Sequence, residues 1–256
     1  MSIPQAPRPT PDNAAADAAR LCRRVQQRTY EAIRDFRLVE PGDHLLVAVS
    51  GGKDSLALLH LMGQLRRRYN YNFQLTAIHV KMSGVDYLSD SNYLSRFAEE
   101  CGAGFEQIEA TLTPDRRTRR PHCFLCARLR RKLLFDAAQR LGCGKIALGH
   151  HQDDLLLTAM MNLVYNGTFA TMPARLAFRK MPLTLVRPLC KNAEDDLRRY
   201  AEIHGFHPLL RRCPHEAQTT RTRIRQPFEA LQLLNPEFRQ NLWHALLKAG
   251  ALTEED

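Results

Sequence analysis

The chain has 256 residues, which suits one α/β domain with appendages or two small domains. Apolar residues make up 44%, enough for a full globular core, which excludes a fibrous or wholly disordered chain. Lys and Arg outnumber Asp and Glu 37 to 27, and the resulting charge of +10 favours a polyanionic partner. No apolar run reaches the ~18 residues of a spanning helix, so no membrane partner is expected. Met1–Asn13 hold four prolines and no apolar segment, so they do not read as a secretory signal, and the expected compartment is the cytoplasm. The seven cysteines stand at 22, 101, 123, 126, 143, 190 and 213. An odd, scattered set in a cytoplasmic chain argues for core filling, catalysis or metal binding rather than a disulfide scaffold.

In chain order, residues 1–13 are Pro-rich and expected to be disordered. Residues 14–40 hold an N-terminal helix with Ala18, Leu21, Val25, Ile33 and Phe36 at helical spacing, closed by the Pro41-Gly42 turn. Its arginines 20, 23, 24 and 28 suit either a solvated face or contact with nucleic acid. Leu45–Val49 is the first buried strand, and a helix over 55–68 follows. Strands are predicted at 73–80 and 105–108, with a helix over 89–102 between them. A basic linker, 111–121, leads into a helix over 123–141. A fourth strand at 145–148, a helix over 154–165, a fifth strand at 184–188, a helix over 193–204 and one amphipathic helix over 226–248 complete the chain. Strands alternating with helices over short connections predict a parallel, Rossmann-like sheet covered on both faces. Residues 41–210 form the nucleotide-binding catalytic domain on this reading, and 211–256 a C-terminal cysteine loop and helix.

The loop after the first strand reads Ser50-Gly51-Gly52-Lys53-Asp54-Ser55. A strand, a glycine turn and a helix start make an anion cradle: glycines admit a close backbone approach, and the helix N-terminus offers unpaired N–H groups and a positive dipole end. The Walker A spacing does not fit, because its first glycine falls at Val47 and Asp54 follows the lysine. The loop resembles the PP-loop, S-G-G-x-D-S, of enzymes that split ATP between its α and β phosphates. Lys53 can reach phosphate oxygens as a point charge. Asp54 beside a phosphate calls for a bridging Mg²⁺. Ser50 and Ser55 can donate hydroxyls. The segment Ile78-His79-Val80 lies where similar enzymes hold adenine by backbone bonds, which leave no side-chain trace. Gly149-His150-His151-Gln152-Asp153-Asp154 resembles the second signature of these enzymes. Gly149 admits close approach, His150 serves phosphate or proton transfer, and Asp153 and Asp154 either complete a Mg²⁺ shell or cap the next helix.

Cys123-Phe124-Leu125-Cys126 opens a helix, where the dipole and nearby Arg128, Arg130 and Arg131 would favour thiolates. By itself the motif fits a redox pair, half a zinc site or an iron–sulfur site. Cys213 is a third candidate ligand, with His215 or His122 as a fourth for zinc; three cysteines without a fourth suit a [4Fe–4S] cluster with one open iron. Cys22, Cys101, Cys143 and Cys190 read as small buried hydrophobes.

Taken together, the PP-loop, the run Cys123-Phe124-Leu125-Cys126-Ala127-Arg128-Leu129-Arg130-Arg131, the 146–154 segment, Met172-Pro173 and Val186-Arg187-Pro188-Leu189 resemble the tRNA 2-thiocytidine synthetase family over roughly residues 30–240. One departure is Glu216, where many members have a further cysteine after the position of Cys213. The resemblance implies an enzyme that uses ATP, Mg²⁺ and a [4Fe–4S] cluster on Cys123, Cys126 and Cys213 to thiolate a cytidine of the tRNA anticodon loop. Lys53 and Asp54 act on the phosphates. A cysteine desulfurase as sulfur donor and a homodimer are implied in the same way. Arginines 116–120, 211–212 and 221–225 bracket the ligands and suit RNA. The alternatives are a cluster-free persulfide thiolase and a zinc-stabilised RNA- and ATP-binding module without catalysis.

Overall fold

The computed structural model describes residues 11–68, 72–83, 86–87, 91–112, 122–209, 211–212 and 220–253. Cys213, His215 and the arginines at 116–120 therefore lie outside the described residues, as does the stretch 1–10. Helix α1 (Pro11–Asp35) precedes strand β1 (His44–Ala48), α2 (Lys53–Arg68) and β2 (Gln74–Met82). Next come the two-residue β3 (Asp86–Tyr87), α3 (Ser91–Glu100), β4 (Gly104–Ala110), α4 (His122–Arg140), β5 (Lys145–Ala147) and α5 (Gln152–Asn166). The chain closes with β6 (Arg175–Ala177), β7 (Thr184–Val186), α6 (Glu194–Ile203), the two-residue β8 (Arg211–Arg212), α7 (Thr220–Leu234) and α8 (Phe238–Lys248). None of the described helices is long and apolar enough to cross a membrane.

Six strands form one sheet in the order β4-β2-β1-β5-β7-β6. The first five run parallel, as the alternating pattern predicts; β6 is antiparallel to β7, with Leu176 opposite Leu185. Three residues, Arg175-Leu176-Ala177, carry no strand period, so this edge was invisible beforehand. Side chains alternate across the sheet. Leu45 and Val47 of β1 and Leu75 and Ala77 of β2 join the core formed with α1, α2, α3, α5 and α6. Leu46, Ile78, Val80, Ile146 and Leu185 join a second core with Ala137 and Ala138 of α4. Each leucine sealed in this way contributes about 2 kcal/mol of burial.

The helix boundaries differ from expectation at both ends. α1 begins at Pro11, whose missing N–H costs nothing in a first turn, so the expected disorder up to residue 13 gives way to helix three residues early. Arg24 and Arg28 both pair with Asp196 of α6, which commits half of the basic face suggested for nucleic acid to holding α1 down. The predicted single C-terminal helix is two, because Pro236 cannot continue an i→i−4 ladder and the Asn235 Oδ1 accepts the Glu237 N–H at 3.0 Å. β3 and β8 pair antiparallel, Asp86 opposite Arg212 and Tyr87 opposite Arg211. That ribbon, also unpredicted, ties the residues before Cys213 to the chain just past the carboxyl end of β2.

Candidate active site

β1 lies between β2 and β5: from β1 the chain steps to β2 and β4 on one side, then crosses back to β5 and β7 on the other. Such a switch point opens a crevice beyond the carboxyl ends of its strands. Both sequence-predicted loops fall into it, one after β1 and one after β5. Gly51 has φ +85°, and a Cβ there would stand 2.6 Å from the Leu209 side chain, so only glycine fits. Its carbonyl accepts the Leu209 N–H at 2.8 Å. The Ser50 hydroxyl donates to the Ser55 hydroxyl at 3.2 Å and accepts the Gly52 N–H at 3.3 Å; the Ser55 hydroxyl donates to the Gly52 carbonyl at 2.8 Å. The loop is thereby tied to itself with the first amides of α2 at its open end. Gly149 carries the second loop onto this turn: a Cβ at 149 would lie 3.1 Å from the Ser55 nitrogen and 3.2 Å from the Asp54 carbonyl.

The charged side chains of the crevice are paired with one another. Lys53 Nζ lies 3.0 Å from both Asp54 oxygens and 3.5 Å from Glu194 Oε1. Arg225 of α7 holds the other Glu194 oxygen at 3.0 Å, and Arg221 holds Asp154 at 2.7 Å. Asp153 pairs with Arg239 of α8 and accepts the Glu194 N–H at 2.7 Å. Burial disfavours the Asp153 charge, yet His151, Arg239 and that amide more than offset it and hold its carboxyl well below the usual range. Asp154 also accepts the His151 N–H at 3.0 Å, which caps α5 as one of the two sequence readings has it. Among the described residues no three His, Cys, Asp or Glu side chains stand grouped as a metal site. The expected Mg²⁺ set of Asp54, Asp153 and Asp154 is therefore not a preformed cage, because Asp153 and Asp154 are spent on arginines and helix ends.

The histidines divide by environment. Arg187 Nε donates to His150 Nδ1 at 3.3 Å. Burial, with Arg187 and Arg221 adding to it against Asp154, brings His150 down to about 4. At neutral pH His150 is an uncharged ring that presents its Nε2–H. Burial also disfavours charge on His151, but Asp153, Asp154 and Asp54 outweigh it and raise its pKa. The His79 side chain is committed to the loop itself, and the adenine contact expected at 78–80 is one of backbone. Alternation turns its side chain to the α2 face, where Nδ1–H donates to the Val49 carbonyl at 2.8 Å. It braces the loop's entry. On the opposite face a small recess of about 80 Å³ is lined by Ala48, Val49, Ser50, Ile78, Val80, Arg130 and Leu134.

Cys123 and Cys126 stand one helical turn apart in the first turn of α4, at the same edge of the sheet as the two loops, because α4 follows the carboxyl end of β4. Cys123 is exposed, Cys126 is half-buried, and neither is in a disulfide. Two thiols at this spacing fit two ligands of a thiolate-bound metal group, an iron–sulfur cluster among them. Cys101, Cys143 and Cys190 are buried, and burial pushes their thiols up to about 12, 11 and 12. The sequence reading of these three as apolar filling matches that. Glu194 and Arg239 were not singled out beforehand, since nothing local marks a residue that meets the loop from α6 or α8; Arg187 was quoted only within a family-like run, with no role at the site.

Residues 21–230 match the family model described as "PP-loop domain". A tRNA-cytidine(32) 2-sulfurtransferase of Anaeromyxobacter dehalogenans is 36% identical over 236 residues, covering 89% of this chain and 79% of the relative. The protein of that name from Syntrophotalea carbinolica is 37% identical, covering 89% of each chain. Among solved structures, the U34-tRNA thiolase NcsA of Methanococcus maripaludis, determined with its [4Fe-4S] cluster, superposes with a TM-score of 0.73. It covers 93% of this chain and 81% of that one at 23% identity, a likeness of fold. A PP-loop and its partner loop at the switch point, in a chain this similar to its relatives over most of its length, make it a member of the PP-loop family and, within that family, of the tRNA-cytidine(32) 2-sulfurtransferases.

Proposed function

We propose that the chain is an ATP-dependent tRNA thiolase that exchanges the C2 oxygen of an anticodon-loop cytidine for sulfur. The observation that carries the reading is the abutment of Gly149 on Asp54 and Ser55, which joins both signature loops into one anion site. Its support from outside is the 36% identity to a tRNA-cytidine(32) 2-sulfurtransferase. ATP lies with its base near Ile78 and Val80 and its phosphates over the first amides of α2. Lys53 exchanges Asp54 and Glu194 for phosphate oxygens. Asp54, released, would hold a Mg²⁺, which would supply positive charge to the phosphates. The cytidine C2 oxygen attacks the α-phosphorus and pyrophosphate leaves. Sulfur then adds at C2, and the original oxygen departs in AMP. The amides, Lys53 and the His150 N–H stabilise charge as it builds on the phosphates.

Cys123, Cys126 and Cys213 would hold the [4Fe–4S] cluster, which when bound supplies an iron able to carry sulfide. Arginines 116–120, 211, 212 and 223 would meet the tRNA backbone around them, while Arg221 and Arg225 are held by Asp154 and Glu194. A cysteine desulfurase as donor, a homodimer and a cytoplasmic location belong to the same reading. Nucleoside mass spectrometry of tRNA from cells lacking the protein tests it. Thiolated cytidine should vanish, return with the wild-type chain and stay absent with Lys53→Ala. Survival of every thiolated nucleoside in the deletion would overturn the proposal. Anaerobic purification with iron and sulfide analysis tests the cluster, and an active, iron-free protein would leave persulfide chemistry on the cysteines instead.

A further inference from the structure

Arg130 lines the pocket beside Ser50, and its Nε is buried without a hydrogen-bond partner. A guanidinium N–H shut away from water with nothing to bind costs about 1–3 kcal/mol, so such groups are rare unless a ligand completes them. The surroundings limit what that ligand can be. Ala48, Val49, Ile78, Val80 and Leu134 make the rest of the pocket apolar, suited to a flat base and a sugar. Ser50 marks where this wall passes into the phosphate loop. Lys53 stands at the far end of that loop, turned to Glu194. A nucleotide laid from the apolar wall toward Lys53 therefore brings its first phosphate beside Ser50 and Arg130, and its outer phosphates to Lys53. Arg130 also stands four and seven residues after Cys126 and Cys123, on their face of α4.

We infer that Arg130 binds the α-phosphate of ATP, and the same phosphate once it is attached to RNA, between the nucleotide pocket and the thiols. The inference rests on the ATP reading given above and adds the residue that grips the reacting phosphorus. A planar fork suits this task, since it donates two parallel bonds to one phosphate.

The test is calorimetric titration of AMP and of Mg²⁺·ATP into the full-length chain and into Arg130→Ala, Arg130→Lys and Arg128→Ala, with the melting temperature of each. Arg128 is exposed on the same helix and controls for lost charge. Arg130→Ala should weaken AMP and ATP tenfold or more, Arg130→Lys should recover part of that, and Arg128→Ala should stay within twofold of wild type. AMP affinity unchanged in Arg130→Ala would overturn the assignment. So would equal losses in Arg130→Ala and Arg130→Lys with matching drops in melting temperature, which would make Arg130 a packing residue. A wild-type chain that binds neither nucleotide would instead defeat the ATP reading, and is distinguishable because no variant is then needed to see it.

Discussion

Gly149 presses on Ser55: a Cβ at 149 would meet the Ser55 nitrogen at 3.1 Å, closer than packed atoms ordinarily come. The neighbour is backbone in the first turn of α2, held by the Leu56 N–H to Gly52 carbonyl bond at 3.1 Å, and it has little room to give. Gly149→Ala should therefore push the two loops apart rather than be absorbed. Overpacking of this kind costs about 1–3 kcal/mol. The expected outcome is a drop of that size in urea denaturation together with a larger, roughly tenfold loss of ATP affinity, about 1.4 kcal/mol in binding. A variant that loses stability but keeps ATP affinity would show that the abutment serves the fold alone.

Asp153 and Arg239 form the second relationship with a clear consequence. Both side chains are largely buried, 12% and 22% exposed, and removing Arg239 leaves the Asp153 carboxylate with only the Glu194 amide and His151 to offset its burial. Arg239→Ala should destabilise the chain by about 3 kcal/mol. The double variant Arg239→Ala with Asp153→Asn should recover part of that loss, because no buried carboxylate remains uncompensated. Denaturant midpoints of the single and double variants check it, and simple additivity would argue against a coupled pair.

The thiols separate into two sets by position. Cys123→Ser and Cys126→Ser should each lose bound iron and sulfide and abolish thiolation while leaving ATP affinity within twofold. Cys190→Ser is the contrast: that thiol is fully buried beneath α1, so its loss should lower stability and leave iron content per folded chain unchanged. Iron and acid-labile sulfide assays on the purified variants measure both.

Acid should weaken the α1–α2–α6 packing. His60 sits among Phe97, Tyr200, His204 and Phe206, bonded to the Tyr200 hydroxyl at 3.0 Å. Burial, then the neighbouring His204 and Arg67, bring it down to about 4 from 6.5. Its neutral form is favoured in the fold, so its contribution is complete above pH 6.5 and is lost as pH falls through about 4. With its partial exposure discounted, the loss is about 2 kcal/mol. His204 is lowered by burial and acts in the same direction. Stability measured by urea from pH 7 to 4 should fall in the wild type and fall less in His60→Gln. Parallel pH profiles would show that His60 is not the group responsible.

Some of this was legible in the residues alone. Ser50–Ser55 and Gly149–Asp154 work through their own backbone: glycines at tight turns and polar groups at helix starts act within a few residues, so the motif states the geometry. The β1, β2 and α2 assignments follow similarly from short periodic runs. What the tertiary structure decided depends on residues far apart in the chain. Nothing near Asp153 announces that Arg239, 86 positions away, would take its charge. The strand period at 73–80 does not say what covers each face, and the packing of α4 put Ile78 and Val80 in a pocket wall while His79 turns to the α2 side. Arg130 read as one of several arginines until the fold buried its Nε beside Ser50. Local chemistry determined which loops could bind phosphate; the long-range packing of α4, α7 and α8 decided which charges those loops face.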